Sequence, residues 1–89
     1  MRRIEKVEAA PGYRLHLTWR DGQSDTIDMT GVIHGMPLFA PLRDQLAFSS
    51  VRVATYGSGI EWGDGNLDYS ADSLEHLADE QRVRLKAVS

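Results

Sequence analysis

The sequence predicts one α+β domain: a small antiparallel sheet of about five short strands, with a short helix and a longer C-terminal helix packed on it. Three observations carry this expectation. Tyr13–Arg20 alternates apolar and polar residues at period two, the pattern of a half-buried strand. Asp21-Gly22 follows at once, a dipeptide suited to the positive-φ turns that join hairpin strands. From Asp72 onward the apolar residues recur at helical spacing. At 89 residues the chain has room for one core, so residues 1–89 are read as a single domain.

The elements follow in order. Ile4–Ala9 reads as a first strand, ended by the Pro11-Gly12 turn. In the second, Tyr13, Leu15, Leu17 and Trp19 share the inward face, and Arg14, His16, Thr18 and Arg20 the outward one. The return strand is Gln23–Met29, with Asp25, Ile27 and Met29 on one face. Gly31–Pro41 is apolar but irregular, because Pro37 and Pro41 forbid a continuous helix. Pro41 suits the first turn of a short helix over Leu42–Phe48, which would place Leu42 and Leu46 on a shared face. Val51–Tyr56 and Ile60–Trp62 read as strands around the Gly57-Ser58-Gly59 turn. The last helix begins near Asp72, whose pairing with Glu75 is a capping pattern. Leu74, Leu77, Ala78, Gln81 and Leu85 line one side of it. The expected core is Ile4, Leu15, Leu17, Trp19, Ile27, Leu38, Phe39, Leu42, Leu46, Phe48, Val51, Val53, Ile60, Trp62, Leu74, Leu77 and Leu85.

Composition narrows the function classes. The chain has no cysteine, which removes disulfides, thiol catalysis and cysteine-based metal centres. No apolar run approaches the ~20 residues of a membrane span, and Arg2-Arg3 is followed by acids rather than an apolar stretch, so neither a membrane nor a signal peptide is expected. A cytoplasmic location follows as an expectation. The net charge is −3, with +1 in residues 1–60 and −4 in residues 61–89. That balance lacks the broad basic footprint of phosphate recognition, and nucleic-acid binding by this chain alone is disfavoured.

One ordered series spans most of the chain: Tyr13-x-Leu15-x-Leu17-x-Trp19-x-Asp21-Gly22, Ile27-Asp28-Met29, Pro37-Leu38-Phe39-x-Pro41-Leu42-Arg43-Asp44, Phe48-x-x-Val51-x-Val53, and Ile60-x-Trp62 with Gly65, Leu67, Asp68 and Leu74. It resembles the domain of unknown function 2442 family of small bacterial proteins over roughly residues 4–77. Where relatives often carry Trp-Pro-Asn-Gly, this chain has Trp62-Gly63-Asp64-Gly65. The resemblance implies a compact α+β domain and no enzymatic activity. It also implies relatives that are sometimes joined to a helix-turn-helix segment, and sometimes encoded beside a small protein in a toxin–antitoxin-like pair. This chain is expected to end before any such appended segment.

Candidate chemistry is sparse. Asp64, Asn66, Asp68, Ser70, Asp72 and Glu75 fall at the spacing of a calcium loop, but Tyr69 stands where that loop demands Gly. His16, His34 and His76 lack zinc-ligand spacing. Ser58 lacks a nucleophile elbow, and Asp28 and Asp44 suit local turn and cap roles better than an acid–base pair. Arg14, His16 and Arg20 form a basic stripe on the second strand, joined in this reading by Arg52. These four are the candidate partner-binding residues, while Asp64, Asn66, Asp68, Asp72 and Glu75 are the alternative metal set. The leading expectation is a non-enzymatic protein-interaction module without a cofactor, the neutralising member of a two-gene pair, whose partner is a small basic protein. A small-molecule or calcium binder and an enzyme or regulator subunit completed in a dimer or larger oligomer are the alternatives.

Overall fold

The computed structural model describes the backbone of residues 2–88 and the side chains of residues 2–84. The elements run β1 (Ile4–Ala10), β2 (Arg14–Trp19), β3 (Ser24–Asp28), α1 (Thr30–Gly35), a 3-10 segment (Pro37–Arg43), α2 (Gln45–Ser49), β4 (Arg52–Val53), a 3-10 turn (Thr55–Gly57), β5 (Gly59–Trp62), β6 (Leu67–Ser70) and α3 (Ala71–Val88). The α+β class and the antiparallel pairing are as expected. Among the described residues the strands number six and form two three-stranded sheets, β1-β2-β3 and β4-β5-β6. No helix among the described residues is long and apolar enough to cross a membrane.

Register follows the alternation read from the sequence. Val7 lies opposite Leu17, Ala9 opposite Leu15 and Leu15 opposite Ile27, so one face of the first sheet is apolar except at Asp25, which lies opposite Leu17. Between Ile4 and Lys6 the pairing shifts, and this bulge brings Ile4 opposite Trp19. In the second sheet Ile60 pairs with Tyr69 and Trp62 with Leu67. The facing layers meet in a core that includes Trp19, Trp62, Phe48, Leu17, Ile27, Ile60 and Leu74.

The region between the sheets departs from expectation. Asp44 is extended (φ −74°, ψ 123°), so the expected helix over Leu42–Phe48 breaks into the end of a 3-10 segment and the start of α2. Leu42 and Leu46 therefore share no face: Leu42 is buried, whereas Leu46 is 83% exposed. A 3-10 repeat of three residues per turn points Phe39 and Leu42 inward together. Leu38, one position earlier, is left 64% exposed. Met29, Ile33, Ala71 and Ala78 are buried beyond the expected set, and Val51, Val53 and Leu77 pack half-buried against the core. The side chain of Leu85, also expected inside, lies outside the described residues.

β4 is two residues long instead of spanning Val51–Tyr56: the Ala54 N–H still bonds the Gly59 carbonyl at 2.9 Å, and the chain then bends into the 3-10 turn at Thr55–Gly57. β6 occupies a stretch to which the sequence reading assigns neither strand nor helix. It delivers the chain straight into α3, so the helix is capped by Ser70, whose Oγ accepts the Ser73 N–H at 3.1 Å, and not by Asp72.

Candidate partner-binding surfaces

The outer face of the first sheet carries Arg14 and His16 side by side on β2, with Arg20 just beyond its end. Each has a carboxylate or hydroxyl for a neighbour. Arg14 lies opposite Asp28, His16 opposite Glu8 and Thr26, and the Arg20 guanidinium sits 3.6 Å from Glu5. His16 Nδ1 and Thr26 Oγ1 are 2.8 Å apart. The Asp28 carboxyl is held below its ordinary range chiefly by the hydrogen bond from the Thr30 side chain; partial burial opposes this, while the Thr30 N–H and the Arg14 charge reinforce it. The stripe is therefore interleaved with acids (a mixed face). Arg52 belongs to the other sheet, where it pairs with Glu61 at 3.3 Å and donates to the Gly63 carbonyl.

The acidic series of residues 64–75 is dispersed by the fold. Asp64 and Asn66 sit in the β5–β6 turn, Asp68 on β6, and Asp72 and Glu75 in the first turns of α3. Glu75 is engaged by Arg2 at 3.3 Å. Among the described residues no three His, Asp or Glu side chains gather closely enough to hold a metal ion. His34 Nδ1 is 3.1 Å from the Thr30 carbonyl, and His76 pairs with Glu80 at 3.1 Å along α3.

A cluster that sequence reasoning missed docks α3. Arg2 lies 4.2 Å above the Trp19 ring and reaches Glu75, Asp21 and Gln23 with its guanidinium. The indole N–H of buried Trp19 donates to Asp25 at 2.8 Å, and Arg82 from α3 reaches the other oxygen of the same carboxylate at 2.6 Å. The available signal was Asp25 itself, a carboxylate at an inward position of an alternating strand.

The pattern defining the family described as "Protein of unknown function (DUF2442)" matches residues 4–80. The chain belongs to the DUF2442 family. Among solved structures, the DUF2442 chain is similar to a protein of Nitrosomonas europaea named a "putative DNA binding protein", with 30% identity and a TM-score of 0.80. The similarity covers 92% of this chain and 52% of the other, so this chain spans about half the length of that protein. No curated protein matches the sequence.

Two open grooves mark the surface of this DUF2442 domain. One, of about 400 Å³, lies between the end of β1 and α2 and is lined by Ala9, Ala10, Pro11, Gly12, Gln45 and Ser49. The other, of about 430 Å³, is lined by Leu38, Pro41, Leu42, Ala47, Ser50, Trp62, Gly63, Asn66 and Leu67. Neither lining includes an acid, a base or a histidine. Exposed Leu38 forms part of the second, which makes that groove the more apolar of the two.

Proposed function

We propose that this DUF2442 domain is a non-enzymatic protein-interaction module. The observation that carries the reading is the Leu38–Trp62–Leu67 groove, a concave apolar surface with no titratable side chain in its lining. Such a site suits an apolar side chain of a partner and offers no acid–base group, and its one hydroxyl, Ser50, donates to the Ala47 carbonyl at 2.7 Å. The partner's charge follows from local surfaces more than from the net charge of −3. Asp21, Glu75, Glu5, Glu61, Asp25 and Asp79 are all engaged by the chain's own arginines. The role as neutralising member of a two-gene pair is part of this proposal. The test is affinity capture from host lysate with wild type and with Leu38→Asp. One protein captured at near-equal amounts and lost with Leu38→Asp supports the module, and that protein should arrest growth when expressed alone. A wild-type domain that captures nothing overturns the reading.

One observation favours a second reading, nucleic-acid binding: the name borne by the Nitrosomonas relative. The interleaved charges of the β1-β2-β3 face count against it for this half of that protein's length. Binding of duplex DNA that weakens steeply with salt would favour it.

A further inference from the structure

Two tyrosines of this domain stand in the left-handed region, Tyr13 at φ 58° and Tyr56 at φ 60°. Only glycine takes that conformation freely, and for a bulky side chain it is strained. At Tyr13 the surroundings offset the strain. Its ring packs edge-on against Phe48 and His34 at centroid distances of 5.5 and 5.7 Å, and its hydroxyl donates to the Arg43 carbonyl. At Tyr56 no such ring packing exists among the described residues. The ring is 78% exposed and belongs to neither the core nor the residues packed on it. The fold needs a left-handed residue there to turn from β4 into β5, and glycine or asparagine would serve it with less strain.

An arginine holds the backbone of the same residue. Arg3 donates to the Tyr56 carbonyl at 3.0 Å, and among the described residues no carboxylate lies within ion-pair reach of it. An exposed tyrosine whose own carbonyl holds an exposed arginine, with no carboxylate on that arginine among the described residues, has the composition of an interface anchor. We propose that Tyr56 and Arg3 form a docking point for a protein segment carrying a carboxylate next to an apolar or aromatic residue: the carboxylate meets Arg3 and the neighbouring side chain covers the Tyr56 ring. The charge of Arg3 selects an anionic partner. A guanidinium beside a ring also suits a nucleic acid, but the surrounding surface has no run of basic residues to follow a phosphate backbone. This inference rests on the interaction-module reading and names a second contact for it.

The test selects a phage-displayed library of random linear peptides on wild-type protein, then measures the selected peptides against variants, with a labelled random-sequence duplex DNA in parallel. Support consists of peptides enriched in Asp or Glu beside an apolar residue, with binding weakened about tenfold or more by Tyr56→Gly and by Arg3→Gln and retained by Tyr56→Phe. Tyr56→Gly and Tyr56→Asn should melt no lower than wild type, which separates lost contact from lost fold. Peptides without acids, binding indifferent to both positions, or DNA binding that disappears with Tyr56→Gly would each overturn the assignment. Binding insensitive to Tyr56 but lost with Leu38→Asp removes this docking point and keeps the module. A protein that binds neither peptide nor a captured protein removes both.

Discussion

The side-chain amide of Gln81 closes the edge of β3: its carbonyl accepts the Asp28 N–H at 3.0 Å and its NH₂ donates to the Asp28 carbonyl at 2.9 Å. A residue of α3 thus pairs with an edge strand as another strand would, and removes two free backbone groups from a position where sheets recruit other chains. Gln81→Ala should lower stability by about 1 kcal/mol, a typical net value for such bonds. Urea denaturation checks the stability, and light scattering on storage should report increased self-association.

Asp25→Ala should cost more. Trp19 is buried, so its indole N–H would lose its acceptor, and Arg82 would lose its partner across the α3 contact. The expected loss is about 1–3 kcal/mol. Asp25→Asn, which keeps an acceptor, should recover part of it. Chemical denaturation followed by tryptophan fluorescence distinguishes the two, and equal losses would contradict the role assigned to the indole bond.

Gly57→Ala should be far more damaging than Gly12→Ala. Both glycines have positive φ, but a Cβ on Gly57 would stand 2.5 Å from the Ile4 carbonyl oxygen and 2.9 Å from its nitrogen, whereas a Cβ on Gly12 meets nothing within 4 Å. Strain alone costs about 1 kcal/mol; the clash with the Ile4 backbone should raise the cost at Gly57 to about 3 kcal/mol or more. Comparison of melting temperatures tests the ranking.

Acid should weaken the β3–α1 junction. The Asp28 carboxyl titrates lower in the folded chain than in the unfolded one. Its ionised form therefore adds stability above the unfolded pKa, and that increment disappears as pH falls through the folded value. The stability difference between wild type and Asp28→Asn should be flat above about pH 5 and shift against wild type below about pH 4. A difference independent of pH down to acid unfolding would contradict the linkage.

Millimolar calcium should leave the melting temperature unchanged, since β6 carries Asp68 away from the helix that holds Asp72 and Glu75. A rise abolished by Asp64→Ala with Asp68→Ala would show that the loop rearranges around the ion.

The β1–β3 meander was legible because each strand alternates cleanly: Leu15, Leu17, Trp19 and Ile27 declare both the face and the register. β6 was not, since the alternation of Leu67-Asp68-Tyr69-Ser70 lasts only four residues and Asp68 falls in a cation-loop spacing. The fate of Leu38 and Leu46 was hidden for a different reason. Both are apolar in an apolar stretch, and only the choice between three and 3.6 residues per turn decides which neighbours point inward. The basic stripe of β2 was placed correctly along its strand, but the acids that neutralise it come from β1 and β3, so cross-strand register controls its charge. Tyr56 was silent in the sequence because left-handed backbone at a bulky residue has no compositional signature.

Residues 30–49 hold their place through donors from elsewhere in the chain. Tyr13 donates to the Arg43 carbonyl, and Trp62 to the Phe48 carbonyl at 3.0 Å. The first donor comes from the turn before β2 and the second from β5. Removing either, by Tyr13→Phe or Trp62→Phe, should therefore speed amide exchange across residues 30–49 more than across β2. The groove walled by Leu38 rests on this stretch, and an occupant that fills it would slow the opening of the residues it covers.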